Sequence, residues 1–119
     1  LASENKSLAH PASVDSITTS ANKEDHVSMG PIAARKARAV VANVGRILGI
    51  EALAAAQGID FHRPLRSSEA LEAAYDAVRA RVPRYDADRV MGPEIEEAAD
   101  LVLRGELGRA AAERIGELE

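Results

Sequence analysis

The sequence contains no cysteine and few aromatic residues, which make up 3% of the chain. Without cysteine it can form neither disulfide bonds nor thiolate metal sites. Its 15 basic and 19 acidic residues are interspersed, whereas a nucleic-acid surface would show a basic patch with interleaved aromatic side chains. No apolar run approaches the length that crosses a membrane. We therefore expect neither a nucleic acid nor a membrane as a partner.

Alanine, by contrast, accounts for about a fifth of the 119 residues. It has the highest helix propensity of all residues and lacks the branched Cβ that favours strands. A chain of this length has room for one domain and can bury roughly two thirds of the surface that it exposes when unfolded. Together with the patterns described next, this composition predicts an all-α fold with one long helix and two or three shorter helices.

The amino-terminal segment differs in composition from the rest. It opens Leu1-Ala2-Ser3, without an initiator methionine and without the basic and apolar regions of a secretory signal. We therefore expect a segment of a longer protein. Residues 1–21 are rich in Ser, Thr, Asn and His and sustain no helical period. We expect them to form an irregular arm ahead of a helical region over residues 22–119.

The longest helix is predicted from apolar residues at helical spacing: Val40, Val41, Val44, Ile47, Leu48 and Leu53. It begins either at Pro31, which suits a first turn, or near Asn22 with a kink at Gly30-Pro31. We expect it to end at Gly58. Gly45 and Gly49 either let a second helix approach closely or are simply tolerated inside a buried bundle.

Three shorter helices are predicted after it. Ser67 or Ser68 caps a helix that ends at Pro83. Gly92-Pro93 starts the next one, because proline is comfortable in a first turn. A further short helix is expected over roughly 106–118. The sequence shows no strand pattern and no internal repeat.

A dense polar run stands before the longest helix, and its groups are costly to bury unless each has a partner or a task. It is one of several motifs in a distinctive order. These are Ser3-Glu4-Asn5, His10-Pro11-Ala12-Ser13-Val14-Asp15-Ser16, the run Thr19-Ser20-Ala21-Asn22-Lys23-Glu24-Asp25-His26-Val27-Ser28-Met29-Gly30, Ala55-Ala56-Gln57-Gly58-Ile59-Asp60-Phe61 and Arg63-Pro64-Leu65. Over essentially the whole chain they closely resemble the carboxyl-terminal part of the histidine ammonia-lyases, within the aromatic amino-acid ammonia-lyase family.

The resemblance implies a fold, a reaction and a setting. Such enzymes are helical bundles that assemble as cytoplasmic homotetramers, with active sites built from several subunits. They eliminate ammonia from L-histidine to give trans-urocanate in histidine breakdown. Their electrophile is a methylidene-imidazolone prosthetic group, formed from an internal Ala-Ser-Gly triad.

The sequence departs from this family pattern at the triad. It contains no Ala-Ser-Gly, and the nearest string is Ala12-Ser13-Val14. Cyclisation needs the amide of the missing glycine, so we expect the prosthetic group to be formed by upstream residues and none by this chain. The family's catalytic tyrosine also lies upstream. We therefore expect these 119 residues alone to be inactive.

Glu24 is the residue to which the resemblance assigns chemistry. Members that act on histidine have glutamate at the matching position, whereas glutamine tends to stand there in relatives that act on phenylalanine. An imidazole ring can donate a hydrogen bond to a carboxylate, and a phenyl ring cannot. Glu24 would therefore orient the substrate ring or take a proton during elimination. The alternative is a glutamate that only stabilises a helix amino terminus.

Two neighbours of Glu24 are weaker candidates for substrate binding. Many bacterial members have glutamine at the position of Lys23. Its ammonium group would act on Glu24 only if both pointed into one pocket, and adjacent helix residues usually point apart. Asn22 either caps the helix or touches the site, and capping is the simpler interpretation.

The remaining polar residues indicate no further chemistry. His26 has no second histidine at helical spacing, so we expect no metal site and a structural role. His10 and His62 are interpreted in the same way, and Ser28 lacks a histidine partner for a triad. The competing hypothesis for the whole chain is a non-catalytic helical oligomerisation module that buries the apolar face of its long helix by self-association.

Overall fold

The computed structural model describes residues 1–115, and the prediction of an all-α fold is confirmed. Within that range the chain forms five α-helices: α1 (Ala2–Leu8), α2 (Gly30–Phe61), α3 (Glu69–Arg81), α4 (Gly92–Leu103) and α5 (Glu106–Ile115). A short 3-10 helix covers Ala12–Val14. No strand occurs among these residues, and the nearest approach to one is an isolated antiparallel bridge between Thr19 and Glu24.

The amino-terminal segment is more ordered than its sequence suggests. The expectation of an irregular arm over residues 1–21 is wrong for Ala2–Leu8, which form α1. Seven residues are too few to show a helical period, and a helix this short depends on tertiary contacts. Asn43 provides them: its amide nitrogen donates to Glu4 Oε2 at 2.8 Å and to Asn5 Oδ1 at 3.0 Å.

The long helix α2 begins at Gly30 and ends at Phe61. Of the two predicted starts, the one in the first turn at Pro31 is confirmed, and the start near Asn22 is wrong. The expected stop at Gly58 is also wrong. Pro64 supplies the physical reason for the end, because proline disfavours helical geometry in the residue before it.

The three later helices follow the predictions closely. Ser68 is the amino-terminal cap of α3, and its hydroxyl accepts a hydrogen bond from the amide of Leu71. Helix α4 begins at Gly92 with proline in its first turn. Gly105, with φ +68°, ends α4 in the left-handed conformation that favours glycine. The part of α5 predicted beyond Ile115 lies outside the described residues.

The chain separates into two compact units, one covering Leu1–Val44 and the other starting at Gly45. In the second unit, α3 packs mainly against α5. Its core is one apolar cluster formed by Leu53 and Ala56 from α2, Val78 and Val82 at the end of α3, and Ala98 from α4. This arrangement buries apolar surface of the kind that drives folding.

The buried face of α2 differs from the predicted apolar face. In the second unit, Gly45, Gly49 and Leu53 are buried, whereas Leu48 is 41% exposed. In the first unit, Val41 is 59% exposed. By length and composition alone, α2 is also apolar enough to cross a membrane, which corrects the expectation that no segment approaches that length. A core helix of a bundle meets the same criteria.

Candidate functional site

The polar run folds into a loop whose two arms are tied together ahead of α2. At its base, the amide of Val27 donates to Ser16 Oγ at 2.9 Å. Further along, the amide of Thr19 donates to the carbonyl of Glu24 at 3.0 Å, and the amide of Glu24 donates back to the carbonyl of Thr19 at 3.3 Å. These bonds close the segment between Ser16 and Val27 into a hairpin-like loop.

The tip of this loop has an uncommon backbone. Ser20, Ala21 and Asn22 have φ values of 51°, 55° and 66°, so three successive residues with side chains adopt the left-handed conformation. Each such residue costs roughly 1–2 kcal/mol relative to right-handed geometry, and asparagine tolerates it best. Thr18 Oγ1 donates to Asn22 Oδ1 at 2.8 Å and helps to hold the turn. Backbone strain of this kind clusters at functional sites.

Glu24 lies outside every described helix, six residues before α2 begins at Gly30. The alternative role as a helix-dipole glutamate is therefore wrong. Its side chain is exposed, and Oε2 accepts a hydrogen bond from Thr19 Oγ1 at 2.5 Å. Among residues 1–115, none donates a hydrogen bond to Oε1.

Asn22 and Lys23 lie in the turn before Glu24 and not in a helix. Asn22 does not cap a helix, because α2 starts only at Gly30; its side chain belongs to the left-handed turn. Lys23 is exposed, and its amide donates to the carbonyl of Ser20 within the turn. A substrate contact by Asn22, Lys23 or Glu24 stays a prediction.

His26 lies at a shallow recess beside the loop. Together with Asp15, Ser28 and Met29 it lines a cavity of about 200 Å³. Its side chain is exposed, as are those of His10 and His62. Within the described part of the chain no three metal-binding side chains come together.

Sequence reasoning missed two ion-pair clusters in the second unit. Glu72 is buried, and Arg63 and Arg66 form ion pairs with its Oε2 at 2.9 and 3.2 Å. The hydrogen bond from Arg63, together with one from the amide of Ser67, lowers the pKa of Glu72 to about 2. The signal was present in the sequence as two arginines ahead of the capping serine, Arg63 and Arg66, but their partner could be found only from the fold.

The second cluster joins α2 to α3. Tyr75 donates to Asp60 Oδ1 at 2.5 Å, and Arg79 pairs with Asp60 Oδ2 at 2.7 Å. Burial raises the pKa of the Asp60 carboxyl, but the hydrogen bonds from Tyr75 and Arg79 outweigh burial and hold it below its ordinary value. Because every oxygen of this carboxylate has a partner inside the fold, the cluster is structural.

Comparison with known proteins places these features in a family. The family model described as "Aromatic amino acid lyase" matches residues 1–80, which include the whole loop and helix α2. The chain therefore belongs to the aromatic amino acid lyase family. Its resemblance to the histidine ammonia-lyases also appears among curated proteins and solved structures.

Two curated relatives illustrate the extent of the similarity. The histidine ammonia-lyase of Rhodospirillum rubrum is 62% identical over 105 residues, which cover 88% of this chain and 20% of the relative. That of Symbiobacterium thermophilum is 59% identical over 119 residues, which cover 100% of this chain and 24% of the relative. The chain thus spans about a fifth to a quarter of the length of these relatives.

Solved structures give the same result for the fold. The histidine ammonia-lyase from Trypanosoma cruzi superimposes with a TM-score of 0.85 at 48% identity, covering 94% of this chain and 22% of that one. A tyrosine aminomutase from Streptomyces globisporus gives a TM-score of 0.86 at 43% identity, covering 98% of this chain and 22% of that one. The helical arrangement is therefore shared by relatives named for different reactions.

The residues present here do not fit the family's prosthetic group. The nearest string, Ala12-Ser13-Val14, forms the 3-10 helix, and the amide of Asp15 donates to the carbonyl of Ala12. Valine stands where the triad requires glycine. Glu24 is an exposed carboxylate on the loop that carries the left-handed turn.

Proposed function

We propose that this chain is part of a histidine ammonia-lyase and contributes Glu24 to the pocket in which L-histidine loses ammonia to give trans-urocanate. The identity of 52–62% to proteins named histidine ammonia-lyase supports the choice of substrate. The observation that carries the assignment to Glu24 is its geometry: an exposed carboxylate, with one oxygen held by Thr19, at the end of a strained turn.

The proposed role of Glu24 follows from the chemistry of imidazole. A ring N–H donates to a carboxylate oxygen, and a protonated ring gains a stronger, charge-assisted bond. Because Oε2 already accepts from Thr19, Oε1 is the oxygen that we assign to the substrate ring. From there the carboxylate orients the substrate ring or takes up a proton during elimination. Lys23 and Asn22 are proposed to line the same pocket.

The proposal also covers the prosthetic group, the assembly and the location of the whole enzyme. We place the methylidene-imidazolone group, which supplies the electrophile when present, in the part of the protein beyond this chain. We further propose a homotetramer in the cytoplasm, with L-histidine as the small-molecule partner. The exposed apolar residues Val41 and Val44 of α2 support assembly, because large apolar side chains at a protein surface are often covered by a partner.

The decisive experiment replaces Glu24 in a full-length lyase that carries this segment. Glu24→Gln keeps the size of the side chain but removes its charge and its proton-accepting oxygen pair. We expect kcat on L-histidine, followed by urocanate absorbance, to fall by about 10²- to 10⁴-fold, the usual contribution of a positioned acid or base. An unchanged rate would show that Glu24 has no such role.

A matched control makes the same chemical change elsewhere. Glu113 is an exposed glutamate on α5, so Glu113→Gln should leave kcat within about twofold of the parent. The 119-residue chain by itself should produce no urocanate, because Ala12-Ser13-Val14 cannot replace the triad. Turnover by the chain alone would contradict the proposal that the electrophile is formed by residues outside this chain.

The second candidate function is a helical oligomerisation module without chemistry of its own. The exposure of Leu48 and Ile50, at 41% and 42%, favours it for the second unit. The two hypotheses separate in the full-length protein. If the chain is only an oligomerisation module, Glu24→Gln has no effect, and replacing Leu48 by a charged residue disrupts assembly. If the chain is part of a lyase, Glu24→Gln abolishes most of the turnover while the protein still assembles.

A further inference from the structure

We propose that Thr19 is a positioning residue that fixes the Glu24 carboxylate through its hydroxyl group. This inference rests on the proposed role of Glu24 and adds the means by which one of its oxygens is kept available for substrate. It is built from the contact between the two side chains, the backbone pairing beneath them and the turn that joins them.

The contact itself is short and well defined. Thr19 Oγ1 donates to Glu24 Oε2 at 2.5 Å, within the range of hydroxyl bonds to an ionised carboxylate. A threonine hydroxyl has one proton to donate, so this bond commits it to Glu24. Thr19 is half-buried, whereas Glu24 is exposed.

The backbone explains why these two side chains meet. Thr19 and Glu24 are the two members of the antiparallel bridge and exchange both of their amide-to-carbonyl hydrogen bonds. Residues directly opposite in such a pair project their side chains to the same side. The hydroxyl and the carboxylate thus share one face of the loop because of backbone register.

A short turn joins Thr19 to Glu24 and closes on this bridge. Ser20, Ala21 and Asn22 adopt left-handed geometry, which leaves the segment few alternative conformations that would keep the bridge. The hydrogen bond from Thr18 to Asn22 also stabilises this turn. A flexible glutamate side chain is thereby held at two points, through its backbone and through Oε2.

The functional consequence is that Glu24 presents Oε1 in one orientation. A carboxylate that rotates freely would offer either oxygen in many directions, and catalytic groups lose rate steeply when they are misplaced by about 1 Å. With Oε2 accepting from Thr19, Oε1 is the oxygen available to an imidazole N–H. Thr19 itself need not touch the substrate.

The test uses a full-length lyase that carries this segment. Thr19→Val removes the hydroxyl but keeps the branched shape, and we expect kcat/KM for L-histidine to fall by about 10- to 100-fold, mainly through kcat. Thr19→Ser restores the donor and should recover activity to within about threefold of the parent. If Thr19→Val does not fold, Thr19→Ala is measured against Thr19→Ser instead.

Two comparisons separate positioning from a general structural role. In a Glu24→Ala background no carboxylate remains to be positioned, so Thr19→Val should change the residual rate by less than about twofold. Thr18→Val, which breaks only the bond to Asn22, is the control in the parent background and should cost less than Thr19→Val.

The outcomes are distinct. If Glu24→Gln slows the enzyme but Thr19→Val does not, the positioning role is wrong and the role of Glu24 stands. Equal losses from Thr19→Val with and without Glu24, or failure of Thr19→Ser to recover activity, would also overturn the positioning role. If Glu24→Gln itself has no effect, the proposed function fails and this inference fails with it.

Discussion

Gly49 of α2 lies against the backbone of Ala99 in α4, so closely that a Cβ atom on Gly49 would meet the Ala99 amide nitrogen at 2.7 Å. Backbone atoms of a packed helix cannot move aside as a flexible side chain can. One turn earlier, a Cβ on Gly45 would meet the side chain of Leu103 at 2.9 Å. The two glycines therefore provide the surface on which α4 approaches α2.

The first prediction compares two glycines in the same helix. Gly49→Ala should lower the free energy of unfolding by about 1–3 kcal/mol, because the added methyl forces α4 away. A Cβ on Gly58 would meet no atom within 4 Å. Gly58→Ala should therefore raise stability by about 0.5–1 kcal/mol through helix propensity. Thermal and denaturant unfolding followed by circular dichroism at 222 nm would measure both.

The comparison between these variants is informative because the chemical change is identical. If Gly49→Ala proved as stable as Gly58→Ala, the close approach of α4 would be wrong. Gly45→Ala should fall between them, since Leu103 is 57% exposed and its side chain can shift.

The sequence predicted α3 and α4, because capping and proline signals are local. It left open whether Gly45 and Gly49 admit a second helix, and only the structure shows the close approach of α4. It did not predict which face of α2 is buried. A helix with apolar residues on several sides, such as Val41 and Leu53, offers more than one face, and only packing partners decide between them. The same limit applies to the site. Glu24 was predicted from its motif, whereas the contact of Thr19 with Glu24 could be recognised only from the backbone bridge between them.

The second prediction concerns the buried pair of Asp60 and Arg79, whose side chains are 8% and 12% exposed. Asp60→Ala should lower the free energy of unfolding by about 3 kcal/mol, because it leaves the Arg79 guanidinium buried without its partner. The control is Asp86→Ala, which breaks an exposed pair with Arg84 and should leave stability nearly unchanged. Equal effects of the two variants would argue against a buried cluster.

The third prediction is a pH dependence that originates at Glu72. Its hydrogen bond from Arg63 lowers the pKa from 4.5 to about 2 in the folded chain. The stabilisation is therefore present above pH 4.5 and is lost as the pH falls toward 2. Glu72→Gln removes this titration, so its melting temperature should decline less between pH 5 and pH 2.5 than that of the parent.

The control for this pH experiment is again Glu113→Gln. Glu113 is exposed on α5, and its replacement should leave the slope of melting temperature against pH as it is in the parent. Parallel slopes for the parent and Glu72→Gln would show that the ion pairs of Glu72 do not stabilise the folded chain in this range.

The fourth prediction tests whether the left-handed turn is needed to present Glu24. Ala21 has φ 55°, a conformation that glycine adopts without steric cost and that β-branched residues strongly resist. In a full-length lyase that carries this segment, Ala21→Gly should keep kcat on L-histidine within about twofold. Ala21→Val should lower it at least about tenfold, because the turn must open and the Thr19–Glu24 pair with it.

The effect of Ala21→Val should be local. Ala80 is exposed on α3, so Ala80→Val makes the same change in size at a helical site and should cost only a few tenths of a kcal/mol in stability, with turnover retained. Circular dichroism would show whether the helices persist in each variant. Because α2 starts only at Gly30, the turn can open without melting it. An Ala21→Val enzyme with full turnover would mean that Glu24 reaches its substrate without the strained turn.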